Sequence, residues 1–267
     1  MRARFAGCTD VGREREVNED ALLVLEEYAM AAVADGLGGH QGGQIASSLA
    51  VSTLDDFFAV TVRRDATWPF PYDEALTAEE NYLCTGIRLG NRRIFDRAHR
   101  GLTELGMATT CVAFMLDRAL GEISIANVGD SRCYRLRAGS LVQLTRDHTL
   151  ASDAVHMAPW MTQDEIDKLP SNVITRALGI REDVAVDLHH EPVVEGDVYL
   201  LCSDGLHGVV DEAEIASIIT SEADLDRAAE ALVERANDLG GPDNITVVLL
   251  RLEPGEAPAK PASSDEL

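Results

Sequence analysis

The chain predicts an α+β layered fold. Strand-like segments dominate it, its helical stretches do not alternate with strands one for one, and its 267 residues suit one large domain built on extended sheets. A parallel doubly wound sheet would need a helix between successive strands. Here two helices follow the first strand group and two more interrupt the closing strands.

The elements can be justified in chain order. Residues 20–25 (DALLVL) and 29–34 (AMAAVA) are short apolar runs of strand length. Residues 42–62 then carry the side chains of one helix face at 45, 49, 53/54, 57/58 and 60. A second helix over 79–100 closes in RIFDRAHRG, where glycine is the stop signal. Strands follow at 110–116, 122–128, 132–137 and 140–144, with Gly139-Ser140 as a hairpin turn between the last two. Further strands are expected at 184–188, 197–202 and 245–251, and amphipathic helices at 211–220 and 224–239, the latter ending at Gly240-Gly241.

Two segments stand outside this pattern. Residues 146–175 form a polar excursion between strands with little regular structure, and the TQDEID stretch inside it starts a short helix, which favours an ordered lid. Residues 67–83 (TWPFPYDEALTAEENYL) place Trp68, Phe70 and Tyr72 between the first two helices. They read as a connecting loop packed on the core, with a docking surface as the alternative. A domain over 1–252 is therefore expected, followed by a Pro-, Ala- and acid-rich tail at 253–267 with the composition of disorder.

Charge narrows the function. With 23 basic and 46 acidic residues the formal net charge is −23, which disfavours phosphate-backbone contacts to nucleic acid and binding to an anionic membrane. Most of these carboxylates make a soluble, self-repelling surface. The start, MRARFAGCTD, has no apolar run of signal-peptide length, and no stretch approaches the roughly 20 apolar residues of a membrane span. The five cysteines (Cys8, Cys84, Cys111, Cys133 and Cys202) are odd in number, widely spaced and free of CxxC pairs. Reduced, mostly buried thiols in a cytoplasmic protein are expected.

The most informative pattern is local. An apolar run ends and an aspartate follows beside glycine or asparagine, at AAVADGLGG (Asp35-Gly36), IANVGDS (Asp130) and YLLCSDGL (Asp204), while Asp243 in GGPDNITVV and Asp20 after VNE open strands. Strand ends place side chains at a sheet rim, where separate strands meet. Clustered carboxylates repel and hold protons more tightly, a cost that hard divalent cations reverse because they prefer oxygen ligands. There is no HExxH and no Cys/His cluster for zinc. Taken singly, each Asp-Gly is also explained as a turn after a strand.

These residues carry a resemblance. TDVGREREVNED (9–20), VADGLGGHQGG (33–43), MATTCVAF (107–114), ANVGDSRCYRLRAGSLVQLTRDHT (126–149), ITRALG (174–179), LLCSDGL (200–206) and GGPDNITVV (240–248) occur in the order found in bacterial metal-dependent phosphatases of the 2C type. The resemblance implies a four-layer α-β-β-α sandwich with two central antiparallel sheets. It implies two Mn²⁺ or Mg²⁺ ions, with Asp35 bridging them, the Gly36 carbonyl on one, and Asp204 and Asp243 as the other direct ligands. Asp20, aided by Glu19, would act through metal-bound water, and Asp130 would serve a third, weaker ion. Arg15 falls at the family's phosphate-binding arginine, whose planar fork engages two oxygens at once; nearby Arg13 reads as a solvated charge. His40 falls where bacterial members carry a histidine, as a general acid or as a residue orienting a metal-bound water.

The implied activity is hydrolysis of phosphoserine and phosphothreonine by a metal-bridging hydroxide, in a monomer opposing a bacterial serine/threonine kinase and acting on its substrates, with residues 146–175 as a flap beside the cleft. A partner-binding pseudophosphatase is disfavoured because Asp20, Asp35, Asp204, Asp243 and Arg15 are all present. A hydrolase of small phosphate esters stays open, since the ligand set does not exclude it.

Overall fold

The computed structural model describes residues 1–38, 41–61, 68–100, 106–158, 160–166, 168–170 and 173–255. The strands, in chain order, are β1 (Arg2–Asp10), β2 (Ala21–Leu25), β3 (Met30–Ala34), β4 (Gly36–Leu37), β5 (Ala108–Thr109), β6 (Cys111–Asp117), β7 (Glu122–Val128), β8 (Arg132–Arg137), β9 (Ser140–Gln143), β10 (Asp187–Pro192), β11 (Val198–Cys202) and β12 (Ile245–Glu253). The helices are α1 (Gln41–Thr61), α2 (Ala78–Arg100), α3 (Leu150–Met157), α4 (Gln163–Ile166), α5 (Asp204–His207), α6 (Glu212–Ser221) and α7 (Leu225–Asp238).

Strand alternation sorts these into layers. One five-stranded sheet runs β1-β12-β11-β8-β9, the other β10-β7-β6-β3-β2, and every neighbouring pair in them is antiparallel. Along β12, Ile245, Val247 and Leu249 pack outward with α5, α6 and α7, while Val248, Leu250 and Leu252 point into the space between the sheets. In the second sheet Ala31 and Val33 of β3 and Val112 and Phe114 of β6 fill that same inner layer. Met30, Ala32, Cys111 and Ala113 face α1 and α2 on the other side. The period of two along each strand thus feeds two faces of each sheet. The result is the expected four-layer α-β-β-α sandwich.

Helix ends are fixed by side chains. Thr77 and Glu80 form a reciprocal capping box at the start of α2, the Glu80 amide donating to the Thr77 hydroxyl (3.1 Å) and the Thr77 amide to the Glu80 carboxylate (2.8 Å). Asp224 caps α7 through the amides of Asp226 and Arg227.

Several boundaries differ from the sequence reading. β1 has no counterpart among the expected strands, because it lies at a sheet edge and its burial alternates only weakly. β10 begins three residues later than the expected 184–188 strand. The β8–β9 hairpin turns at Ala138-Gly139, both with positive φ (50° and 81°), one residue before the expected Gly139-Ser140.

The 146–175 excursion holds two helices, and its ends are paired: the Leu150 amide donates to the Val173 carbonyl (2.9 Å) and the Thr175 amide to the His148 carbonyl (2.8 Å). Trp68 packs on Tyr82 (5.0 Å between ring centroids), Tyr72 (5.1 Å) and Phe57 (6.1 Å), which is the packed-loop arrangement. Cys111, Cys133 and Cys202 are buried, Cys8 and Cys84 are half-buried, and all five are free thiols. Among the described residues no helix is long and apolar enough to cross a membrane. Residues 256–267, most of the expected tail, lie outside the described residues.

Candidate metal centre

The registers explain why distant aspartates meet. Ala21 pairs with Ala34, so Asp20 and Asp35 leave β2 and β3 at the same end. Val33 pairs with Val112 and Cys111 with Val128, which carries that end across to Asp130. In the other sheet Cys202 pairs with Val247, so Asp204 after β11 and Asp243 before β12 also exit together. One end of the sandwich therefore collects all five carboxylates.

Each is held differently. The Asp35 backbone is pinned on both sides: its amide donates to the Thr110 hydroxyl (3.0 Å), and its carbonyl accepts from the Thr110 amide (2.8 Å) and the Thr109 hydroxyl (2.8 Å). Asp20 accepts from the Ser203 hydroxyl at 2.7 Å. Asp204 opens α5 behind Ser203. Asp243 accepts from the Asn244 amide (2.8 Å) and from Arg15 Nη2 (2.7 Å). Asp130 is buried, and its Oδ1 has no hydrogen-bond partner.

Two glycines are required by space. A Cβ on Gly36 would meet the Gly43 carbonyl oxygen at 2.3 Å and that of Glu19 at 2.5 Å; one on Gly205 would meet the Asn244 carbonyl oxygen at 2.0 Å. Neither backbone contact can move aside, so only glycine fits.

The electrostatics are those of gathered like charges. Burial, then the neighbouring Asp20, Asp204, Asp130 and Asp243, hold the Asp35 proton well above the usual carboxylate range. Burial raises Asp20 to about 7 against the pull of the Thr246 and Ser203 hydroxyls, with Asp204 and Asp243 adding to the rise. Asp130 is likewise raised to about 7, mainly by burial and then by Asp204. Asp204 is raised by burial and by Asp243.

Among the described residues no three His, Cys, Asp or Glu side chains already close on a single point. The acids thus line a rim near enough to repel one another without forming a finished cage. The donor set is all oxygen, and the unpartnered, buried Oδ1 of Asp130 is a lone pair without a proton to accept. Those properties fit hard divalent cations.

Further residues brace the rim, none of them marked by a local sequence signal. Asn244 donates to the carbonyls of Val11 (2.8 Å) and Val17 (3.0 Å) and accepts from the Glu19 amide (2.8 Å), tying the 11–19 loop to β12. His207 Nε2 donates to the Asp130 carbonyl (3.1 Å), and burial lowers this imidazole to about 4, so it stays neutral. His148 accepts from the Gly129 amide at Nδ1 (3.0 Å); its Nε2 lies 3.1 Å from Asp187, near but not aligned as a hydrogen bond. Arg132 grips Asp147 with two nitrogens (2.7 and 3.0 Å), fastening the GDSR segment to the root of the excursion. These residues stood inside the motifs quoted above, but which groups they would touch depends on contacts across the fold. His40 lies outside the described residues. The Arg13 amide donates to the Gly241 carbonyl (2.7 Å), and the residue is exposed.

The sandwich of two antiparallel sheets between helices thus carries an oxygen-only acidic rim at one end. Residues 11–240 match the family profile described as Protein phosphatase 2C. The chain is 38% identical over 255 residues to a serine/threonine phosphatase, stp, of Listeria welshimeri, covering 94% of this chain and 95% of that one. It superposes on the Mycobacterium tuberculosis serine/threonine phosphatase PstP/Ppp with a TM-score of 0.79 at 32% identity, covering 94% and 99% of the two chains. A structure of the PstP catalytic domain in complex with two manganese ions gives a TM-score of 0.78 at 30% identity over 94% and 99%. The chain belongs to the protein phosphatase 2C family and is a phosphoprotein phosphatase.

Proposed function

We propose that the chain hydrolyses phosphoserine and phosphothreonine in proteins with two Mn²⁺ or Mg²⁺ ions, and that it opposes a bacterial serine/threonine kinase. The observation that carries this reading is the convergence of Asp20, Asp35, Asp130, Asp204 and Asp243 at one end of the sandwich, where burial and neighbouring carboxylates raise the proton affinity of Asp20, Asp35, Asp130 and Asp204. The names of the relatives and the manganese in the PstP structure support it.

Asp35, Asp204 and Asp243, with the Gly36 carbonyl, would hold the two core ions; Asp20 would act at one remove and Asp130 would serve a third. When bound, such ions lower the pKa of water and neutralise phosphoryl oxygens. Arg15 is half-exposed and spends Nη2 on Asp243, which leaves other N–H groups of its fork for the phosphoryl oxygens. His40 would give its imidazole proton to the departing serine or threonine oxygen. Ser203 and Thr109/Thr110 hold Asp20 and Asp35 in place while the charge around them changes.

Hydrolysis of p-nitrophenyl phosphate and of a phosphothreonine peptide should require Mn²⁺ or Mg²⁺. Full activity after exhaustive EDTA treatment refutes the metal assignment, and retained turnover in Asp35→Asn removes Asp35 from the site. In Arg15→Ala, inhibition by inorganic phosphate should weaken.

A further inference from the structure

Beyond the excursion, the 176–186 loop runs beside the metal rim. β4 pairs Gly36 with Thr109, and Thr109 exchanges both backbone hydrogen bonds with Leu178 (3.2 and 2.8 Å). At a strand spacing of about 4.8 Å, Leu178 sits about 10 Å from Gly36. Next to it lies a cavity of about 300 Å³ lined by Ala177, Ile180, Val184 and Ala185 and by the charged Arg176, Arg181 and Asp183.

The cavity is preformed. Asn91, 1% exposed, donates to the carbonyls of Arg181 (3.1 Å) and Glu182 (2.9 Å) and accepts from the Gly179 amide (2.9 Å). Gly179 has φ +91°, and a Cβ there would meet Ile94 Cγ2 at 2.4 Å. A loop held this way binds without a large ordering cost.

Its charges are unevenly matched. Arg176 and Arg146 share Asp187, Arg146 also reaches Asp153, Arg92 pairs with Glu182, and Arg88 lies 3.9 Å from Asp183. Among the described residues Arg181 has no ion-pair partner and is exposed, beside Ile180, which is 55% exposed. An unpaired cation beside Ile180, Val184 and Ala185 is complementary to a carboxylate on an aliphatic stem, with Asp183 on the same wall facing Arg88 at 3.9 Å. The rest of this −23 chain would repel one.

We propose that this cavity takes an acidic side chain of the phosphoprotein substrate, with Arg181 as its counter-ion and Ile180 and Val184 against the stem. An extended peptide advances about 3.3 Å per residue, so the acid stands three or four residues from the phosphorylated one. The proposal rests on the serine/threonine protein phosphatase reading above and makes Arg181 a specificity-determining residue outside the chemistry.

The test compares phosphothreonine peptides bearing Glu or Lys at each of the four positions on either side, with p-nitrophenyl phosphate as the small control, for wild type, Arg181→Glu and Ala185→Trp. The wild type should favour Glu at one position three or four residues away by about 10-fold in kcat/KM, through KM, the size of one well-placed charge contact. Arg181→Glu should reverse that preference, and Ala185→Trp, which fills the cavity, should erase it. Both variants should hydrolyse p-nitrophenyl phosphate at the wild-type rate. No acid preference in the wild type, or an Arg181→Glu variant that slows Glu and Lys peptides alike, overturns the proposal. A wild type that cleaves p-nitrophenyl phosphate but no phosphopeptide overturns the protein-substrate reading as well.

Discussion

Asp130→Asn should stabilise the metal-free protein, and the gain should depend on pH. Asp130 is 7% exposed with Oδ1 unpartnered, and its folded carboxyl titrates at about 7 instead of near 3.8. A folded value above the unfolded one means that the native state binds the proton more tightly. Stability is then fully present below the unfolded value and lost as pH rises through 7. Above pH 8 the bare carboxylate costs about 4 kcal/mol relative to a neutral group, an upper figure from about 1.4 kcal/mol per pH unit. At pH 5 most of the native carboxyl is protonated, and about 2–3 kcal/mol of that cost is gone.

Histidines work the other way. Burial lowers His207 to about 4, so unfolded chains take up a proton that the native imidazole refuses, and stability falls below about pH 6.5. Subtracting wild type from variant at each pH cancels the histidines and leaves Asp130 together with the repulsion it exerts on Asp35. The assay is thermal and urea unfolding of EDTA-treated protein at pH 8, 6.5 and 5, followed by circular dichroism. For a domain of this size each kcal/mol moves Tm by about 2–4 °C. Asp130→Asn should unfold up to about 16 °C higher at pH 8, with the difference at least halved at pH 5. Saturating Mn²⁺ should remove the advantage. A variant that is neutral or less stable at pH 8 without metal would refute the picture of a proton-hungry, unpaired carboxylate.

Other consequences follow from the same contacts. Asn244→Ala removes three hydrogen bonds to the 11–19 loop and should cost about 2–4 kcal/mol in urea unfolding, at about 1 kcal/mol per bond; turnover should fall as Arg15 loses its support. Gly205→Ala, which would place its methyl 2.0 Å from the Asn244 carbonyl oxygen, should lower Mn²⁺ affinity in calorimetry more than Gly139→Ala, where a Cβ meets nothing within 4 Å. Burial pushes the Cys111 and Cys202 thiols up to about 12, so iodoacetamide at pH 8 should label neither without denaturant, and turnover should survive the treatment.

What the sequence revealed tracks how local the physics is. β11 and β12 are legible because VYLLC and the unbroken VVLL inside ITVVLLRLE have nowhere to go but the middle of a sheet. β1 is not, because RARFAGCTD lies on an edge and buries only Phe5 and Ala6 fully. β10 slipped for the same reason: its DLHHEP sequence is polar and ends in Pro192, a residue that an edge strand tolerates. α3 is too short, at eight residues, for a helical period to emerge.

At the centre the same division holds. Asp35, Asp204 and Asp130 announced themselves as acids ending apolar runs. The signal came from strand-end chemistry, and neither the antiparallel registers nor the shared end of the sandwich was needed to see it. Thr109, Thr110, Ser203 and His207 gave no such signal, because their partners Asp35, Asp20 and Asp130 lie 74 or more residues away. Yet those partners allow the cluster to exist. Five mutually repelling carboxylates stay in place only if the backbone that carries them cannot retreat. The Asp35 carbonyl is fixed by two donors, the Asp130 carbonyl by His207, and Gly36 and Gly205 are too tightly packed to shift. The unfavourable electrostatics of the rim are thus stored in a frame built mainly by uncharged residues, with Arg15 on Asp243 and Arg132 on Asp147 as its charged ties, and that frame keeps the site ready for cations before any arrive.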